Sequence, residues 1–310
     1  MTTFPQSIAV VGAGALGSYY GAKLARQGAD VRFLMRADLR AVKDEGLRVR
    51  EAGEEWRLSP VQAFGSSAEI GAVDMVVIGL KTTANAELEE LIPPLLHEGT
   101  LLLTLQNGLG NEEFLAQRWG EQRVLGGLCF VCLNRVAPGV IEHYGHGTLS
   151  LGEFRRPPTE RTRAIGAMFS NAGVETHVVE NLVTERWRKL VWNIPFNGLS
   201  IATGGQTCDL LLADEGLRQQ VRALMAETIA AAAALGHEIP ASFIDFQIER
   251  TLPMGAYKPS SMIDWQLGRA VEVESIWGEP WRQGTAAGAQ LPRLELLYCL
   301  LRGITRAVSP

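Results

Sequence analysis

The sequence predicts an α/β protein: a doubly wound parallel sheet at the N-terminus, followed by a mostly α-helical C-terminal domain. Three observations carry this. Apolar runs of strand length alternate with segments of helical spacing through the first half of the chain. A glycine-rich turn joins the first such run to the first helical segment. From about Asn181 the Val/Ile runs give way to long stretches of helical periodicity. Strand and helix in alternation mark a parallel sheet covered on both faces, and the switch in period marks a second domain. The boundary is placed between residues 1–181 and residues 182–310.

The elements follow in order. "SIAVVGAG" is a strand ending in glycines, and "ALGSYYGAKLARQG" a helix stopping at Gly28. Between them Gly12, Gly14 and Gly17, with Ala13, Ala15 and Leu16, form G-x-G-x-x-G. Alone this pattern is weak; after a strand and opening a helix it is the dinucleotide fingerprint of a Rossmann-type domain. Gly12 permits the tight turn, Gly14 lets backbone approach a pyrophosphate held at the helix N-terminus, and Gly17 allows helix to pack on strand. "DVRFLMR" is the second strand. NAD binders usually end it with an acidic residue for the ribose hydroxyls, but here Arg36 stands in that place. A cation there favours a 2′-phosphate, so the expected cofactor is NADP.

"VDMVVIGLK" and "TLLLTLQNG" are further strands, separated by the helix-like "NAELEELIPPLL". They end in Lys81 and in Gln106, Asn107 and Gly108, and ligands of open α/β sheets lie beyond such carboxyl ends. Lys81 can meet a carboxylate or phosphate, or be an ordinary strand-end lysine. Asn107 can hydrogen-bond nicotinamide or substrate, or serve the turn, since Asn-Gly readily takes positive φ. "RVLGGLCFVCLNRV", "GVIEHYGHGTLSLGE" and "GVETHVVE" complete the sheet, and "RRPPTE" is a surface loop.

Composition excludes several classes. The 310 residues are 46% hydrophobic and 20% charged, enough apolar side chain for a real core. A net charge of −5, with no Lys/Arg run, leaves no electrostatic footprint for nucleic acid or an anionic membrane. No apolar window reaches the ~18 residues of a membrane span. Cys129 and Cys132 form C-x-x-C, but without a second pair at zinc spacing, and they would face opposite sides of a strand. They read as buried apolar residues in a reducing cytoplasm. His143 and His146 in "HYGHG" suggest a turn rather than a metal site, and no metal is expected.

The second domain reads as helices over Leu182–Ile201, Leu217–Leu235, Ala241–Arg250, Ser261–Ser275 and Leu291–Thr305. In "ERWRKLVWNIPFNGLS", Lys189, Asn193 and Asn197 recur every fourth residue and form one polar stripe on an otherwise apolar helix. Burying a lysine beside two amides is costly unless they face a polar ligand. Pro195 is expected to weaken or kink this helix. Ser260, Asp264 and Glu272 are spaced to share one face of a later helix, where Ser260 can also act as a cap.

Together the glycine motif, Arg36, Lys81, "QNG", "K-L-x-x-N-x-x-x-N" and "S-x-x-x-D" followed by Glu272 resemble the ketopantoate reductase family over nearly the whole chain. The resemblance implies NADPH-dependent reduction of 2-dehydropantoate to pantoate, a step toward coenzyme A, in a cleft between the two domains. It implies Lys189 as the catalytic lysine and Glu272 as the acidic residue paired with the active site. Asn193, Asn197 and Ser260 (with Ser261 beside it) would bind substrate, Asn107 would lie near nicotinamide and substrate, and Lys81 would contact cofactor or substrate. A cytoplasmic homodimer is expected. Two departures bear on the pocket: Val271 replaces a threonine, and Trp277 stands where an asparagine is usual. They keep open a related NADP-dependent dehydrogenase for another small branched 2-oxo acid. A non-catalytic NADP-binding redox sensor is the reading of a different class.

Overall fold

The computed structural model describes residues 5–306. The chain forms two compact units. Of the described residues, the first comprises 5–106 together with Asn111–Leu182; the second comprises Asn107–Gly110 and 183–306. The short tip Asn107–Gly110 thus belongs with the helical unit.

The first unit is built on ten strands: β1 (Ser7–Val11), β2 (Asp30–Leu34), β3 (Leu47–Glu51), β4 (Glu54–Leu58), β5 (Gln62–Phe64), β6 (Met75–Ile78), β7 (Leu101–Thr104), β8 (Val124–Ala137), β9 (Val140–Glu153) and β10 (Thr176–Val178). They form one sheet in the order β4-β3-β9-β8-β7-β6-β1-β2-β5, with β10 also on β9. β1 pairs in parallel with both β2 and β6, and Val11 lies level with Leu34 and Ile78. Strands are added to one side of β1 by β2 and to the other by β6, so the carboxyl ends of β1 and β6 make the switch point at which doubly wound sheets bind ligands. The sheet is mixed rather than wholly parallel, because β8/β9 and β3/β4 are antiparallel hairpins.

Six α-helices serve this unit: α1 (Ala15–Arg26), α2 (Leu39–Glu45), α3 (Ser67–Ile70), α4 (Leu88–Leu91), α5 (Asn111–Trp119) and α6 (Glu160–Asn171). Its core gathers Ile8, Val10, Tyr20, Phe33, Met75, Leu103 and Phe169, all buried. The helix expected over "NAELEELIPPLL" is broken. A 3-10 turn (Thr82–Glu87), the single turn α4 and a second 3-10 turn (Pro93–Leu95) replace it, since two consecutive prolines cannot donate to a helical ladder. "HYGHG" is not a free turn either. It lies within β9 at a register shift, with His146 at φ 60°, and His143 packs by its Nδ1 3.3 Å from Glu51.

The second unit contains α7 (Leu182–Ala202), α8 (Cys208–Ala213), α9 (Glu215–Ala234), α10 (Phe243–Thr251), α11 (Ser260–Gln266), α12 (Glu279–Ala286) and α13 (Pro292–Arg306). A separate core collects Trp187, Ile194, Phe196, Met225, Trp277 and Leu294. Among the described residues no helix is long and apolar enough to cross a membrane.

The helix expected over Ser261–Ser275 ends early. Gly268 takes φ +66°, and the Arg269 N–H reaches back 2.8 Å to the Asp264 carbonyl, a Schellman-type stop that only a residue tolerant of left-handed φ makes cheaply. Glu272 therefore lies beyond α11 and does not share a helical face with Ser260 and Asp264.

Candidate active site

The glycine loop follows from sterics. At Gly12, φ is +90° and a Cβ would lie 2.3 Å from the Leu80 backbone nitrogen; at Gly17 it would lie 2.4 Å from the Gly12 carbonyl oxygen. The turn is thus packed between β6's exit and α1 with no room for side chains. At Gly14, by contrast, a Cβ would meet nothing within 4 Å among the described residues. Gly14 is also the N-cap of α1, with no side-chain cap and no acidic residue in the first turn. Ala15 and Leu16 open the helix, whose first N–H groups and positive dipole end suit a pyrophosphate. An open backbone face over a helix N-terminus fits the dinucleotide that the motif implies. Sequence reasoning missed Gly79, whose Cβ would sit 3.0 Å from the Gly12 carbonyl; its signal was the glycine just beyond β6.

Arg36, just past β2, forms an ion pair with Glu87 at 3.0 Å and is 70% exposed. Such a pair contributes roughly 0–1 kcal/mol, so Arg36 can leave it at little cost. Lys81 precedes the 3-10 turn Thr82–Glu87 as its N-cap. Behind these residues runs an amide relay that sequence reasoning also missed. Thr104 Oγ1 donates to Gln106 Oε1 (3.0 Å), Gln106 Nε2 to Asn85 Oδ1 (2.7 Å), and Asn85 Nδ2 to Asn111 Oδ1 (3.1 Å). It ties the end of β7 to the segment after β6. No sequence pattern announces it, because its members meet only through the sheet.

In the second unit α7 carries the polar stripe as expected, and it continues through Pro195. Lys189 is half-buried, and its ammonium donates to Asn107 Oδ1 at 2.8 Å. Asn193 is half-buried one turn on. Asn197 is buried; its Nδ2 donates to the Asn193 carbonyl (3.1 Å) and its Oδ1 accepts the Ser261 N–H (2.9 Å). The two serines divide accordingly: Ser260 is exposed at the start of α11, while Ser261 is buried against Asn197. The structure therefore brings together Lys189, Asn107, Asn193, Asn197 and the start of α11. Glu272 is buried at the head of a π-turn, Glu274–Gly278, and its carbonyl accepts the Ile276 N–H. Trp277 is fully buried in the helical core, donating its indole N–H to the Ile194 carbonyl at 2.9 Å. Val271 is buried in the same core.

This geometry supplies an ammonium held by an amide and flanked by further amides, which can stabilise and protonate an oxygen that becomes negative. The family model "Ketopantoate reductase PanE/ApbA" matches residues 8–156, and "Ketopantoate reductase PanE/ApbA C terminal" matches residues 181–305. The chain is 40% identical to the 2-dehydropantoate 2-reductase of Nostoc sp., over 95% of this chain and 93% of that one. Among solved structures, the 2-dehydropantoate 2-reductase of Geobacter metallireducens is similar at TM-score 0.93 and 46% identity, covering 96% of this chain and 99% of that one. The Methylococcus capsulatus 2-dehydropantoate 2-reductase follows at TM-score 0.91 and 33% identity, with 98% of each chain covered. The chain belongs to the ketopantoate reductase family of oxidoreductases.

Proposed function

We propose that this family member reduces 2-dehydropantoate to pantoate with NADPH, Lys189 giving the proton. The observation that carries the reading is the 2.8 Å hydrogen bond from Lys189 to Asn107 on a helix that presents Asn193 and Asn197 one and two turns on. NADPH, when bound, supplies the hydride. The first unit holds it through the Gly12–Gly17 loop and the α1 N-terminus, with Arg36 on the 2′-phosphate and Lys81 on cofactor or substrate. In the second unit Asn107 orients the Lys189 ammonium. As the ketone carbon gains the hydride, Lys189 stabilises the charge on oxygen and transfers a proton to it, so a 2-oxo acid becomes a 2-hydroxy acid. Asn193 holds substrate oxygens. Asn197 and the serines at the start of α11 shape that end of the pocket, and Glu272 supports the same site from the head of the π-turn. An ammonium placed for proton donation also favours a catalyst over a redox sensor, which needs none. A cytoplasmic location belongs to the same proposal.

Because Val271 and Trp277 depart from the family pattern, a panel of branched 2-oxo acids is the informative assay. With NADPH, 2-dehydropantoate should be turned over with the highest kcat/KM, and NADH should be a poor substitute. Higher kcat/KM for another branched 2-oxo acid would move the substrate and keep the chemistry. Oxidation of neither cofactor with any 2-oxo acid would overturn the reading.

A further inference from the structure

The Lys189–Asn107 bond joins a helix to a loop tip. One turn bonds to both segments. In the π-turn the Glu279 N–H reaches back to the Glu274 carbonyl, one residue further than in an α-helix. The Ser275 carbonyl thereby loses its α-helical donor, and its π-helical donor is absent too, because residue 280 is proline. It accepts instead the N–H of Leu109, at 2.9 Å. Contact there is so close that a Cβ on Gly108 (φ +83°) would lie 2.2 Å from the Ser275 oxygen. Two residues further on, Trp277 donates to the Ile194 carbonyl of α7 at 2.9 Å, and a Cβ on Gly198 would lie 2.8 Å from that indole nitrogen. The circuit closes: Lys189 to Asn107, Leu109 to Ser275, Trp277 to Ile194, and back along α7 to Lys189.

We propose that Trp277 is a positioning residue for the reduction. Its indole pins α7 to the same turn whose Ser275 carbonyl pins the Asn107 loop, and so sets the Lys189–Asn107 geometry. The inference rests on the reading of Lys189 as proton donor. It also gives the departure from asparagine at this position a role, since the indole N–H reaches a helix carbonyl while its ring fills the core.

The test compares Trp277→Phe, which keeps a ring and removes the N–H, with Pro280→Ala, which restores a donor for the Ser275 carbonyl. Each is made in the wild-type and in the Asn107→Ala background, with Lys189→Ala as control. The expected result is a fall in kcat of ~10-fold or more for Trp277→Phe, with KM and NADPH affinity within about twofold of wild type. The Pro280→Ala change acts in the same direction. Both effects should vanish in the Asn107→Ala background, because a residue acting through a pair loses its effect when the pair is gone. If Trp277→Phe does not fold, as judged by its melting curve, Pro280→Ala carries the same comparison. Unchanged kcat, or a loss that multiplies with that of Asn107→Ala, overturns the inference alone. Normal turnover in Lys189→Ala overturns the proton-donor reading and the inference with it.

Discussion

Arg36 concentrates the cofactor question in one side chain. It is exposed and pairs with Glu87, itself 44% exposed, so its removal should leave the fold unchanged and act on affinity for a 2′-phosphate. The expected outcome for Arg36→Ala is a rise of ~10-fold or more in KM for NADPH with little change for NADH, a charge-assisted phosphate contact being worth about 1.5–3 kcal/mol. Equal changes for both cofactors would assign 2′-phosphate recognition elsewhere. The place of Arg36 just past β2 was legible in the sequence because it is fixed by distance from the glycines along a βαβ unit. The Lys189, Asn193 and Asn197 stripe was legible because helical period is local. The division of labour between Ser260 and Ser261 was not, since the Asn197 carboxamide that separates them arrives from another helix.

At the scale of elements, β1 and α1 are set by a backbone constraint that a side chain violates. Gly12→Ala would place a methyl 2.3 Å from the Leu80 nitrogen at positive φ, against backbone that cannot yield. The expected cost is at least 2 kcal/mol, read as a lower urea midpoint, together with lost cofactor affinity. Unaltered stability would mean that the loop is looser than its packing. Other elements hid from sequence reasoning for physical reasons. β3 and β4 alternate Leu47, Val49, Trp56 and Leu58 with charged residues, and they make no apolar run. α11 looked longer because the residues beyond Gly268 keep helical spacing; the positive φ of one glycine ended it. The π-turn had only Pro280 as a trace, and Pro at a helix start reads as an ordinary N-terminal signal.

On the scale of the whole molecule, the change of period near residue 181 led to the expectation of two domains, and the buried apolar residues gather into two clusters. The return of Asn107–Gly110 to the second unit was not visible, because it depends on the long-range bond to Ser275. The first unit also carries a buried carboxylate that ties its fold to pH. Glu153, at the end of β9, is wholly buried. Burial alone would raise its carboxyl, but hydrogen bonds from Arg161 and Thr162 and the charge of Arg156 outweigh burial and hold it below the ordinary glutamate value. A depressed folded-state value contributes stability that is present above the unfolded value, about pH 4.3, and lost as pH falls through the folded one. Glu153→Gln should therefore lower stability near neutral pH and flatten the acid limb of the stability curve below about pH 4.3. An acid limb identical to wild type would show that Glu153 does not govern it.

Proton donation by Lys189 is tested by separating binding from turnover in Lys189→Ala. NADPH affinity is measured by titration, and reduction of 2-dehydropantoate by loss of the nicotinamide absorbance. NADPH affinity should be unchanged and kcat lower by ~10²-fold or more. Wild-type turnover in that variant would contradict proton donation by Lys189.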